Sequence, residues 1–199
     1  MPTRSFMHLS DDKKQKIIDC AFKEFSENSY DKVSIFQIAK EAEISRASLY
    51  CYFENKEDIY CFLLRQIAEP FCNQIEKQAK FDIFELSTKL FLYFSDFKYT
   101  NKKDFIIKIF ENLNPINQKF FFDNIIPEKE NLPIVTDDFK YIDEAHLHII
   151  LYLLLSNTAI SIIKYFTSNM EKNLALENFN KLIEILKFGI LKGEQKWLR

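Results

Sequence analysis

The stretch SIFQIAKEAEISRASLYCYFENK, Ser34–Lys56, constrains this chain more than any other. It reads as two short helices joined by a tight turn. Ser34 is placed to cap the first, in which Ile35, Ile38, Ala39 and Ala42 recur at helical spacing, the alanines small enough to let a neighbouring helix approach. The turn is Glu43-Ile44-Ser45. Ser45 caps the second helix, where Leu49 and Phe53, four residues apart, form the buried side. Burying that side leaves Arg46 and Tyr50 stacked on another, with Ala47 and Cys51, then Ser48 and Tyr52, beside them. So short a helix does not persist alone in water; other elements must present it.

The preceding segment supplies a brace. DDKKQKIIDCAFKEFSEN, after Ser10, gives a helix with Ser10 as N-cap and Asp11 and Asp12 in the first turn, where the helix dipole favours anions. Ile17, Ile18, Ala21, Phe22 and Phe25 form an apolar stripe that the next two helices can cover. Asn28 and Ser29 end it, asparagine being tolerant of the left-handed conformation common there. Three helices, the last exposing an arginine fork and several hydroxyls, have the shape of a helix-turn-helix reader of DNA. Residues 1–9 lack periodicity and are expected to be a disordered arm, whose Arg4 could reach a minor groove.

These residues carry a family resemblance. The run IIDCAFKEFSENSYDKVSIFQIAKEAEISRASLYCYFENKEDI resembles the DNA-binding domain of the tetracycline-repressor (TetR) family of transcriptional regulators. The match rests on the Ile17–Ala21–Phe25 stripe, Tyr30, Val33-Ser34, Ile38-Ala39, Ala42, Ile44-Ser45, the Leu49-Tyr50-x-Tyr52-Phe53 block and Lys56-Glu57, and it covers about residues 10–65. The family often has glycine where this chain has Ser29, Glu43 and Ala47. A left-handed turn residue other than glycine costs on the order of 1 kcal/mol. The resemblance implies DNA contacts from Ser34, Ser45, Arg46, Ala47, Ser48, Tyr50, Tyr52 and Lys56. Chemistry fits those roles. Arg46 matches guanine O6 and N7, the Ala47 methyl can meet a thymine methyl, and the hydroxyls suit phosphate oxygens. Lys56, opening the next helix, adds its charge to exposed amides that favour phosphate.

Composition agrees with an all-α chain. Only two glycines and five prolines leave little material for hairpins, and no Gly-rich phosphate loop or dinucleotide fingerprint occurs. The formal net charge is −2 and the pI about 6.0, so no global positive field favours nucleic acid. Within residues 1–56, Arg4, Lys13, Lys14, Lys16, Lys23, Lys32, Lys40, Arg46 and Lys56 are balanced by Asp11, Asp12, Asp19, Glu24, Glu27, Asp31, Glu41, Glu43 and Glu54. Non-specific affinity is therefore expected to be modest, with specificity coming from shape and a few placed contacts.

The division expected is a reader at 1–56 and a helical regulatory and dimerisation body at 57–199. A long helix over Lys56–Lys80, with Pro70 inside it, is followed by helices near Asp82–Phe97, Lys102–Leu113, Pro115–Asn124, Phe139–Ser168 and Leu174–Gly193; residues 125–138 read as a loop. The run HLHIILYLLLSNTAISIIKYF is long enough to span a bilayer, but His146, His148, Asn157, Thr158 and Lys164 interrupt it and no basic or aromatic belt flanks it. A buried helix, packed on its own core and on a partner, is expected instead of a membrane span. With Phe179, Leu182, Ile183, Ile185, Leu186, Phe188 and Ile190 on the last helix, it predicts a homodimer through a four-helix bundle. Such a dimer reads a pseudo-palindromic operator in double-stranded DNA. Phe62, Phe91, Phe94, Phe110, Tyr152 and Phe166 are candidates to line a pocket for a small apolar or aromatic effector, between the fourth helix and the three after it. Cys20, Cys51, Cys61 and Cys72 form no C-x-x-C pair and no apolar leader opens the chain, which suggests reduced thiols and a cytoplasmic protein. His146 and His148, two apart on a helix, point away from each other and cannot chelate one metal. No catalytic constellation, cofactor motif or metal set is recognisable. The expectation is a ligand-responsive regulator, most often a repressor in the family. The alternative is an all-helical interaction or ligand-binding protein that has lost operator binding.

Overall fold

The computed structural model describes residues 2–76, 82–111, 116–117 and 144–190, and these residues are helical with no strand among them. The helices are α1 (Arg4–Met7), α2 (Asp11–Glu27), α3 (Ile35–Glu41), α4 (Arg46–Tyr52), α5 (Lys56–Glu76), α6 (Ile83–Ser95), α7 (Lys103–Glu111), α8 (Glu144–Thr167) and α9 (Lys172–Ile190). Short 3-10 turns cover Tyr30–Lys32 and Asp96–Tyr99. The expected helix at 115–124, apart from 116–117, and the loop at 125–138 lie outside the described residues, as do the side chains of His146 and His148.

The chain forms two compact units, one of residues 1–77 with 100–126, the other of 78–99 with 127–199. The division expected at residue 56 falls at the start of α5, and the unit holding the reader runs on to Lys77 and takes in α7. In this unit α2 is the hub, packing on α3, α5 and α7. Four residues of its expected stripe, Ile17, Ala21, Phe22 and Phe25, are each at most 5% exposed, while Ile18 is half-buried. Phe22 and Phe25 meet Phe105 of α7 edge-on, at centroid distances of 5.1 and 6.4 Å. Tyr60 of α5 closes the same cluster against Phe25 and Tyr30 and donates to Asn117 Oδ1 (2.8 Å), whose amide donates to the Ile109 carbonyl (3.0 Å). Burial pushes the Tyr60 phenol far above the ordinary tyrosine range.

Three local expectations are corrected. Residues 3–7 are not a disordered arm: α1 packs on α4, and Phe6, 2% exposed, sits among Tyr52, Phe53 and Phe62. Its stability comes from that tertiary contact, since four residues show no usable periodicity. Asn28 is extended (φ −119°) rather than left-handed, and its amide instead donates to the Glu24 carbonyl (3.2 Å). Ser10 occupies the N-cap position of α2 without a side-chain bond to the helix.

In the second unit α6 packs on both α8 and α9. Asp82 caps α6 through the Phe84 N–H (2.8 Å), and Phe84, Leu90, Phe91 and Phe94 are buried. Phe91 stacks on Phe179 of α9 at 4.6 Å and 10°. Lys98, only 8% exposed, donates to the carbonyls of Ser168 (2.9 Å) and Met170 (3.1 Å) and lies 4.0 Å from the Tyr165 ring centre. It thereby ties the turn after α6 to the corner between α8 and α9. Ile149–Thr167 of α8 is long and apolar enough to cross a bilayer by length and composition. One face of it, through Ile150, Leu151, Leu154, Ala159, Ile162 and Phe166, is nonetheless buried within this unit. The other face carries exposed Ile149, Leu153 and Ile160, and α9 exposes Leu174, Ile185 and Phe188.

Candidate nucleic-acid interface

The reader is built on α2. Glu24, 7% exposed, accepts the Ser34 N–H (2.9 Å), which fixes the entry to α3. The Ser34 hydroxyl then caps α3 by accepting the Gln37 N–H (3.3 Å). Ile38, Ala39 and Ala42 are buried, as their spacing predicts, while Ile35 is half-buried.

The turn between α3 and α4 has a definite form. The Glu43 N–H returns to Lys40 O (3.1 Å) and the Ile44 N–H to Ala39 O (3.0 Å), while Glu43 adopts φ 58°. That pair of bonds with a left-handed residue is a Schellman ending, for which glycine is the usual choice. Glu43 is the non-glycine residue with positive φ among the described residues. Its side chain meets Lys16 of α2 at 2.8 Å, and Lys23 of α2 meets Glu41 at 3.1 Å. The hydrogen bonds from Lys16 and Lys23 hold the Glu43 and Glu41 carboxyls below the ordinary glutamate range.

Ser45 caps α4 by accepting the Ser48 N–H (2.9 Å), and the two hydroxyls share a further bond (2.8 Å). Leu49 and Phe53 are buried beneath. The solvent face carries exposed Ser45, Arg46, Ala47, Tyr50 and Cys51, with Ser48 and Tyr52 half-buried. The Arg46 guanidinium lies 5.5 Å from the Tyr50 ring centre and donates to its hydroxyl (3.4 Å). Seven of the eight residues expected at the interface therefore lie on α4 or at the two helix caps, Arg46 among the exposed ones.

Lys56 is engaged elsewhere. Its ammonium donates to the carbonyls of Tyr30 (2.8 Å) and Asp31 (3.2 Å) and lies 4.7 Å from the Tyr30 ring centre. The start of α5 is also occupied by its own side chains: Asp58 N–H donates to Asn55 Oδ1 (2.9 Å), and the Asp58 carboxylate accepts the Glu54 N–H (3.2 Å). With Glu57 and Asp58 in the first turn, that terminus is a poor host for phosphate. Lys56 thus forms a staple between α5 and the turn before α3. Residues missed by the sequence reading are Thr3 and Phe6, which touch the carbonyl end and the base of α4.

The six aromatic pocket candidates have separate settings. Phe62 belongs to the cluster with Phe6 and Phe53, and Phe110 is buried in the same unit. Phe91, Phe94 and Phe166 are core residues of the second unit, while Tyr152 is 46% exposed.

Residues 17–60 match the model of the bacterial regulatory proteins of the tetR family. The HTH-type transcriptional regulator HbdR of Aromatoleum sp. (strain CIB) is 36% identical over 72 residues, 36% of this chain and 31% of that protein. The biofilm operon icaADBC negative regulator IcaR of Staphylococcus epidermidis is 49% identical over 47 residues, 24% of this chain and 25% of its own. The chain thus spans a third or less of the length of these curated relatives. Among solved structures, a TetR family regulator from Chloroflexus aurantiacus J-10-FL superposes with a TM-score of 0.64 at 21% identity, covering 97% of this chain and all of that one. FadR from Bacillus subtilis, solved in complex with stearoyl-CoA, gives 0.53 at 20% identity, covering 88% of this chain and 98% of that one. Residues 17–60 thus match the amino-terminal domain of the tetR family of bacterial regulatory proteins, and the chain shares the all-helical fold of these solved structures.

Proposed function

We propose that this chain is a cytoplasmic, sequence-specific DNA-binding transcriptional regulator, a repressor released from a pseudo-palindromic operator by a small apolar or aromatic effector. The observation that carries the reading is the exposed face of α4, where Arg46, Ala47, Tyr50 and the Ser45–Ser48 pair stand on a helix fixed at its N-terminus by Ser45 and by the turn before it. Arg46 reads guanine, and the hydroxyls of Ser34, Ser45, Ser48, Tyr50 and Tyr52 position the helix on phosphates. The negative regulator IcaR, 49% identical over the matched segment, supports repression. The exposed apolar stripes of α8 and α9 support a homodimer through those helices. FadR, solved with stearoyl-CoA, supports an apolar effector for this fold.

Selection from random duplexes with the full chain, followed by footprinting, tests the proposal. The expected result is a pseudo-palindrome with half-sites at least a helical turn apart. Recovery of no preferred sequence at low salt, with the dimer intact, refutes it.

A further inference from the structure

The carbonyl end of α4 has an unusual arrangement. The last carbonyls of any helix lack partners within the helix and must find them elsewhere. Here Cys51 O accepts the Thr3 hydroxyl (2.7 Å) and Tyr52 O accepts the Thr3 N–H (2.9 Å). Thr3 is in turn held by α1, since its carbonyl accepts the N–H groups of Phe6 (3.1 Å) and Met7 (3.3 Å). The Phe6 ring is wedged against Phe53 at 4.9 Å, Phe62 at 5.6 Å and Tyr52 at 6.0 Å. One residue of the amino-terminal segment thus satisfies two adjacent carbonyls of α4, and another fills the hollow beneath its final turn.

We propose that residues 3–6 are a clamp that sets the pose of the recognition helix, with Thr3 and Phe6 as positioning residues for DNA reading. This inference rests on the DNA-binding role proposed above. Ser45 fixes the N-terminus of α4 from within the reader, whereas the C-terminus is fixed from forty-eight residues away in sequence. Seven residues provide too little helix to hold their own geometry. Removing the clamp frees Tyr52 and lets the last turn fray, shifting Arg46 and Tyr50 relative to the groove. Small displacements matter because base contacts are bidentate and geometric.

Thr3 has φ −70°, the value proline imposes, so Thr3→Pro deletes both donors while keeping the backbone in place. Thr3→Ser retains both and is the control; Thr3→Val, which removes the hydroxyl alone, serves if the proline variant fails to fold. The measurements on the full chain are affinity for the operator selected by the wild-type protein and amide exchange over residues 49–53. The expected result is about tenfold weaker operator binding and about tenfold faster exchange in Thr3→Pro, both restored in Thr3→Ser. Unchanged exchange overturns the clamp, and so does faster exchange with unchanged affinity. If the wild-type chain selects no sequence, the DNA-binding reading fails and takes the positioning role with it. The exchange arm still decides whether Thr3 holds the helix.

Discussion

Ile160 gives the most direct test of the proposed association of two copies through α8. It stands on α8 at 62% exposure, in a stripe with Ile149 and Leu153, on the face opposite buried Ile162 and Phe166. Truncation to alanine deletes three carbons, each worth about 0.8 kcal/mol when fully buried. Scaled by the exposed fraction that a partner would cover, the loss is about 1.5 kcal/mol per copy. A twofold interface presents the same residue from both subunits, so the change counts twice, about 3 kcal/mol, or roughly a hundredfold in the dimer dissociation constant. Sedimentation equilibrium of Ile160→Ala across a concentration series reads that shift. Phe36→Ala is the control, because Phe36 is 61% exposed but lies on α3. An unchanged dissociation constant in Ile160→Ala, or an equal shift in both variants, refutes the assignment of the α8 stripe to the dimer.

Other consequences follow from the same contacts. Lys98→Met leaves the Ser168 and Met170 carbonyls without their cation and should cost roughly 3 kcal/mol, seen as a fall in the thermal midpoint; a change near zero would show that water replaces the ammonium. Glu43→Gly relieves the left-handed backbone and should raise the midpoint by about 2–4 °C despite losing the Lys16 pair, whereas a fall would mean the pair dominates. On a selected operator, Arg46→Ala should relax preference at one base position, while Lys56→Ala should lower stability and leave the salt slope unchanged within error, since its ammonium is held by Tyr30 and Asp31; equal losses of base preference from both would undo that division. Glu41 and Glu43 are depressed on folding, so their stabilising effect is full above the ordinary value of 4.5 and fades as pH falls through their lowered values. Lys23 is raised, so its share persists below 10.5 and is lost as pH rises through its folded value. The midpoint gap between wild type and the Glu41→Gln, Glu43→Gln double variant should therefore shrink in acid; a constant gap would show the pairs add nothing.

The helix-turn-helix was legible because its burial pattern is local. Ile38, Ala39, Ala42, Leu49 and Phe53 announce themselves at spacings of three and four, and both serine caps act as read. The left-handed residue at Glu43 was also recoverable, from the glycine usual at that place. What escaped depends on distant partners. Nothing in RSFM marks Phe6 as core until Phe53 and Phe62 surround it. Lys56 was ambiguous by chemistry: an ammonium serves a phosphate or a pair of carbonyls equally well, and only the fold brings the Tyr30 and Asp31 carbonyls within reach.

The packing of Phe105 against Phe22 and Phe25 limits how such a chain can be recombined. Residues 100–126 share a compact unit with residues 1–77, so the chain crosses between units three times rather than once. A single genetic crossover after the reader would therefore separate those aromatic rings and leave α2 facing a foreign surface. Exchange of readers between relatives should succeed only when α7 travels with α2, as a discontinuous graft, and a gene fragment ending after α5 should yield a sticky product rather than a free-standing DNA binder.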